Sequence, residues 1–135
     1  MPADERARVT LVEGDGIREL ERVVRERGAP FDLLVSNPPY VLREDAASLA
    51  PEVRDYEPEL ALFAPAGDPD HWVKRILVAW PELVAPDGLA LVELGVPQAP
   101  RVLALAAEAG LAARVVPDLA GLPRVLELRR PGPSA

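Results

Sequence analysis

Residues 37–40 read Asn-Pro-Pro-Tyr, and Asn37 is the only asparagine in the 135-residue chain. Each member of this tetrapeptide has a physical use. The oxygen of an asparagine side-chain amide accepts a hydrogen bond from an –NH2 group. Pro39 has no N–H, and Pro38 holds the residue before it extended, so the turn is stiff and its carbonyls stay free as further acceptors. Tyr40 offers a flat face to a planar group. Together they can hold a planar amide or amino group by its hydrogens and aim its nitrogen outward. The plain alternative is a proline-rich turn after a strand.

What must position this corner is the run before it. Phe31–Val35 (FDLLV) is nearly all apolar, as a strand covered on both faces would be. Ahead of it, Arg8–Glu13 (RVTLVE) reads as a strand. Gly14-Asp15-Gly16 breaks it, and Ile17, Leu20, Val23 and Val24 recur at helical spacing until Gly28 and Pro30. Residues 36–67 lack strong periodicity and form a long loop of the kind that is usually functional. The spacing of Val73, Ile76, Leu77, Trp80 and Val84 predicts a helix over 70–84, and Pro86-Asp87-Gly88 a turn. Leu89–Leu94 is a third strand, Pro97–Ala109 a helix closed by Gly110, and Ala112–Val116 and Arg124–Leu128 two final strands. Alternating strands and helices predict an α/β fold with a mostly parallel sheet, helices on both faces and a carboxy-terminal antiparallel hairpin. In such sheets ligands bind beyond the carboxyl ends of the strands, where Asn37 lies.

Composition narrows the function classes. A net charge of −7 and a pI near 4.7 do not ask for a phosphate backbone as partner. There is no cysteine and one histidine, His71, which argues against a metal site. No apolar run reaches the length of a membrane span and the amino end does not read as a signal peptide, so the expected location is cytoplasmic.

Asn-Pro-Pro-Tyr is the signature of methyltransferases that modify planar nitrogens. Three further segments resemble one such family, the release factor glutamine methyltransferases: Glu52–Pro58 (EVRDYEP) with Ala61-Leu62, Leu91–Gly95 (LVELG) with Gln98, and Asp118–Gly121 (DLAG) with Arg124-Val125. The likeness runs from Val9 to about Arg129. It implies a Rossmann-like fold and methyl transfer from S-adenosylmethionine to the side-chain amide of the glutamine in the Gly-Gly-Gln loop of class I peptide release factors. It implies that Asn37 and the carbonyl of Pro38 bind the glutamine amide, that Pro39 stiffens the corner and that Tyr40 packs against the substrate. Asn37 would also lie close to the cofactor. Asp15 falls where the family often carries an acid near the adenine, though it can equally be a helix N-cap. Glu57, with Arg54, would line the substrate cleft or be ordinary loop charge. Glu93 reads as an internally paired strand residue, and His71 and Trp72 as structural.

The chain also departs from the family pattern. Ala64–Pro69 reads APAGDP where the family has a glycine-rich, Asp-Gly stretch. No strand with a glycine-rich loop, such as holds the cofactor's methionine end, precedes Arg8. The expectation is a truncated catalytic domain over residues 1–130, a disordered tail over 131–135, and a fragment inactive by itself. Its first strand would dock beside the second, or a separate chain would supply further strands, or the product would fold poorly. Two other readings stand beside this one: a nucleic-acid amino methyltransferase of the adenine type, against which the acidity and EVRDYEP speak, and a non-catalytic remnant or interaction subunit.

Overall fold

The computed structural model describes residues 8–39, 51 and 64–132. Tyr40, Arg54, Glu57 and the EVRDYEP segment lie outside them, as do residues 133–135 of the expected tail.

Helix α1 spans Gly16–Arg27. Asp15 caps its start, accepting from the Arg18 N–H at 3.5 Å, and Gly28 closes it at φ 72°, a left-handed conformation that favours glycine, its N–H donating to the Val24 carbonyl. Strand β1 is Phe31–Ser36, helix α2 His71–Leu83, strand β2 Val84–Glu93, helix α3 Ala99–Glu108, and strands β3 and β4 Ala112–Pro117 and Pro123–Arg129. A 3-10 turn at Pro65–Gly67 precedes α2 and another at Val96–Gln98 precedes α3.

The strands lie in the order β1-β2-β4-β3. β1 and β2 are parallel, while β4 runs antiparallel to both β2 and β3. The α/β class and the closing hairpin are as the sequence predicts, and the sheet is mixed, with one parallel pairing of three among the described residues. Pro86-Asp87-Gly88 does not separate two elements. It is an excursion within β2, whose register to β1 jumps from Phe31↔Val84 to Leu33↔Leu89. Gly88 is required there, because a β-carbon would sit 2.8 Å from the Asp32 carbonyl oxygen.

Two further expectations fail. Residues 9–13 are not a strand: Leu11 is 92% exposed, and no described strand pairs with this run. Its β-branched composition supplies propensity, but a strand also needs a neighbour to pair with. Nor do the described helices cover both faces. Leu34, Ala90, Val92, Leu126 and Leu128 point to one side and are buried with Val73, Ile76, Trp80 and Leu83 of α2, Val102 and Ala106 of α3, and Ile17 and Val24 of α1. The reason is handedness. β1 to β2 and β2 to β3 both advance in the same direction across the sheet, so two right-handed crossovers place α2 and α3 on the same face. Among the described residues no helix is long and apolar enough to cross a membrane, and no cluster of three or more His, Cys, Asp or Glu side chains could hold a metal.

Candidate active site

At the carboxyl end of β1 the chain turns through Asn37-Pro38-Pro39. Leu34 anchors the strand in the core, Pro38 is buried and Pro39 half-buried, while Asn37 stays exposed. Burial of the proline ring holds the corner and leaves the asparagine amide at the surface, and no described residue engages its side chain in a hydrogen bond. Beside this corner opens a cavity of about 910 Å3 between the starts of α1 and α2 and the end of β1. Its wall includes Asp15, Ile17, Ser36, Pro38, Pro39 and Trp72. The structure thus brings Asp15, Pro38 and Pro39 to one hollow. Asn37 adjoins it without lining it.

Asp15 serves both purposes the sequence left open: it caps α1 and faces the cavity. It is not free, because Arg75 of α2 donates from one guanidinium nitrogen to both its carboxylate oxygens at 3.1 and 3.2 Å. Partial desolvation pushes the Asp15 carboxyl up. The hydrogen bond and charge of Arg75, with the Arg18 N–H, outweigh that and leave it below its ordinary value. The same Arg75 guanidinium stacks over the Trp72 ring at 5.3 Å, and Trp72 meets His71 edge to face. The buried indole N–H of Trp72 finds no acceptor among the described residues.

His71, Trp72 and Arg75 are cavity residues that sequence reasoning assigned to structure or passed over. The available signal was their place at the first turn of a helix after a long irregular segment, at the same sheet end as Asn37. Glu93, expected to be paired inside, is exposed at the end of β2. The alternation of β2 points it with Leu89 and Leu91, away from the helices.

The first turn of α2 is held by a buried knot. Gln98 accepts from the Gly95 N–H at 2.7 Å and donates to the Pro69 carbonyl at 2.8 Å and to Asp70 Oδ1 at 3.0 Å. Arg101 Nε donates to Asp70 Oδ2 at 2.7 Å. Asp68 binds the Asp70 N–H and Lys74. Its carboxyl is held below the ordinary range by the Lys74 hydrogen bond first, against desolvation. These bonds tie residues 68–70 to the turn after β2 and fix the cavity wall formed by Pro65, His71 and Trp72.

Fold and corner together define an α/β methyltransferase domain. The solved protein-(glutamine-N5) methyltransferase (release factor-specific) from Alicyclobacillus acidocaldarius matches 87% of this chain with a TM-score of 0.54 and 29% identity, over 59% of its own length. The release factor glutamine methyltransferase of Cereibacter sphaeroides is 44% identical over 101 residues, and that of Geobacter sulfurreducens 42% over 104. No protein-family model matches. Over this stretch, 74–77% of its length, the chain belongs to the release factor glutamine methyltransferase family, and it spans about a third of the relatives it matches (36% and 34%).

Proposed function

We propose that residues 1–130 form the carboxy-terminal part of a methyltransferase catalytic domain that modifies the side-chain amide nitrogen of a glutamine, the Gly-Gly-Gln glutamine of a class I peptide release factor. The observation that carries this reading is the Asn37-Pro38-Pro39 corner at the tip of a core-anchored strand, exposed beside a cavity. A glutamine amide has two N–H donors. Asn37 Oδ1 and the Pro38 carbonyl accept them; Tyr40 and Glu57, which the family resemblance assigns to the same substrate, lie outside the described residues. An amide nitrogen is a weak nucleophile, so the chain's contribution is alignment and exclusion of water. A cytoplasmic location belongs to the same reading.

The cofactor of this reading is S-adenosylmethionine, which supplies an electrophilic methyl group. The described residues fit part of it. Ile17, Leu20, Trp72 and Ile76 make an apolar slot with Asp15 at its edge, suited to a flat base once Arg75 gives way. Asp15 is the one carboxylate in the described lining, and it offers nothing for a methionine end or for ribose hydroxyls beyond itself. On this reading the described residues supply only part of the cofactor site, and methyl transfer needs further strands to complete it, in this polypeptide or from a separate one.

Calorimetry with S-adenosylmethionine and the pure chain tests this. No heat of binding is expected at tens of micromolar cofactor (about −6 kcal/mol of affinity or weaker). Tight binding by the 135-residue chain refutes the need for completion. In a version completed with the amino-terminal part of a relative, mass spectrometry should show one methyl group added to a Gly-Gly-Gln peptide. Asn37→Ala should slow this on the order of 100-fold with the thermal midpoint unchanged. Methylation of an adenine oligonucleotide in place of the peptide would favour the nucleic-acid reading.

A further inference from the structure

Arg75 of α2 stands in the wall between two hollows. One is the cavity beside the Asn37 corner. The other is a groove of about 610 Å3 between α1 and α2, whose lining includes Glu21, Val78 and Glu82. On the cavity side the guanidinium takes the groups that could hold a flat ring carrying N–H donors. It stacks over the Trp72 ring at 5.3 Å, and one of its nitrogens donates to both Asp15 oxygens at 3.1 and 3.2 Å. A planar donor set on an aromatic face and against a carboxylate is what an aminopurine ring would be in the same place. The side chain imitates such a ring. Its hold is weak: Arg75 and Asp15 keep 30% and 37% of their side-chain surface exposed, so solvent screens the pair. A second acceptor is at hand. Glu21 lies about 9 Å along the axis of α1 from Asp15, shares the groove with Arg75, and has no ion pair among the described residues. Glu82, the other carboxylate of the groove, is paired with Arg25 at 3.5 Å.

We propose that Arg75 is a two-position gate on this ring slot. Closed, it lies over Trp72 against Asp15. Open, it turns to Glu21 in the groove and leaves the aromatic face and the carboxylate to a planar, N–H-bearing ring of the aminopurine class. The class of ligand rests on the functional reading above, while the gate is a property of this chain's own residues. A gate of this kind lowers the apparent affinity in proportion to the fraction of molecules in which it stands open.

The probe is adenosine, titrated into the isotope-labelled 135-residue chain while the Trp72 indole N–H is followed by NMR. The Trp80 indole, buried in the core, is the reference that should not move. Arg75→Met keeps an apolar stem in place of the arginine's own and should bind adenosine about fivefold more tightly than the wild type. Glu21→Gln should bind it more weakly than the wild type, and should make no difference once Arg75→Met is present. Equal or weaker binding by Arg75→Met overturns the gate and leaves the slot standing. A Trp72 signal that adenosine moves in neither protein sinks the slot, and the gate with it. A second measurement needs no ligand. In Asp15→Asn, whose asparagine still caps α1, the Arg75 Nε–H should show nuclear Overhauser contacts to Glu21 in place of those to the Trp72 ring. Contacts to Trp72 that persist unchanged overturn the gate.

Discussion

A single side chain can be legible by type and still hidden in role. Asn37 stands out in the sequence because its neighbours leave it no helical or central-strand option. Arg75 does not, since it reads as one more charge on an amphipathic helix until α2 packs against α1 and carries it to Asp15. Carboxylates of this kind set the response to acid. Asp118, in the β3–β4 turn, accepts from the Leu122 N–H at 3.0 Å, the Ala120 N–H at 2.9 Å and Arg124 at 3.2 Å. The Leu122 N–H first, then Arg124 and the Ala120 N–H, hold its carboxyl below its ordinary value against desolvation. Asp15 and Asp68 are lowered too, and Glu127 is lowered by Arg114 and then Arg129. A depressed carboxyl contributes stability that is complete above its unfolded value near about 4 and is lost as pH falls through the lower folded value. The thermal midpoint should hold steady from neutrality down to the ordinary carboxylate range and drop below it. Asp118→Asn should make that drop shallower, and an unchanged profile would show that the turn carriers are not coupled to folding.

At the level of elements, the sequence reveals those whose periodicity is enforced by one buried face. α1, α2, α3 and the β3–β4 hairpin fall within a few residues of expectation because each presents an apolar stripe to the same core. Arg8–Glu13 misleads for the complementary reason: its β-branched composition describes a strand that has no described partner. The knot at Gln98 was visible only as a resemblance to a family segment. Its physics appears when the turn after β2 meets the start of α2, with Asp70 and Gln98 both nearly fully buried (5% and 3% exposed). Replacing Gln98 by Leu keeps the volume but leaves the Gly95 N–H and the Pro69 carbonyl without partners and takes one donor from a buried carboxylate. The cost should be about 1–3 kcal/mol, read as a lower urea midpoint at constant slope. A neutral result would mean that water replaces the amide at that turn.

For the whole molecule, element order gave the α/β class but not the distribution of layers. That distribution depends on which way each crossover advances, and strand order is a long-range fact that no local pattern encodes. The result, among the described residues, is a sheet with one packed face and one apolar end that no described helix covers. Net charge keeps such a surface dispersed without making it less apolar. Because Leu33 and Val35 are more than half exposed, they contribute little to the fold. Leu33→Thr with Val35→Thr should then shift stability by no more than about 0.5 kcal/mol, since β-branched threonine keeps the strand preference. The same pair should sharply reduce binding of a solvatochromic hydrophobic dye relative to the wild-type chain. Were this face packed, the two changes would remove buried methyl groups and cost about 1–3 kcal/mol, with dye binding rising instead of falling. A denaturant titration and a dye titration on the same two proteins therefore separate an exposed apolar face from a core that is already closed.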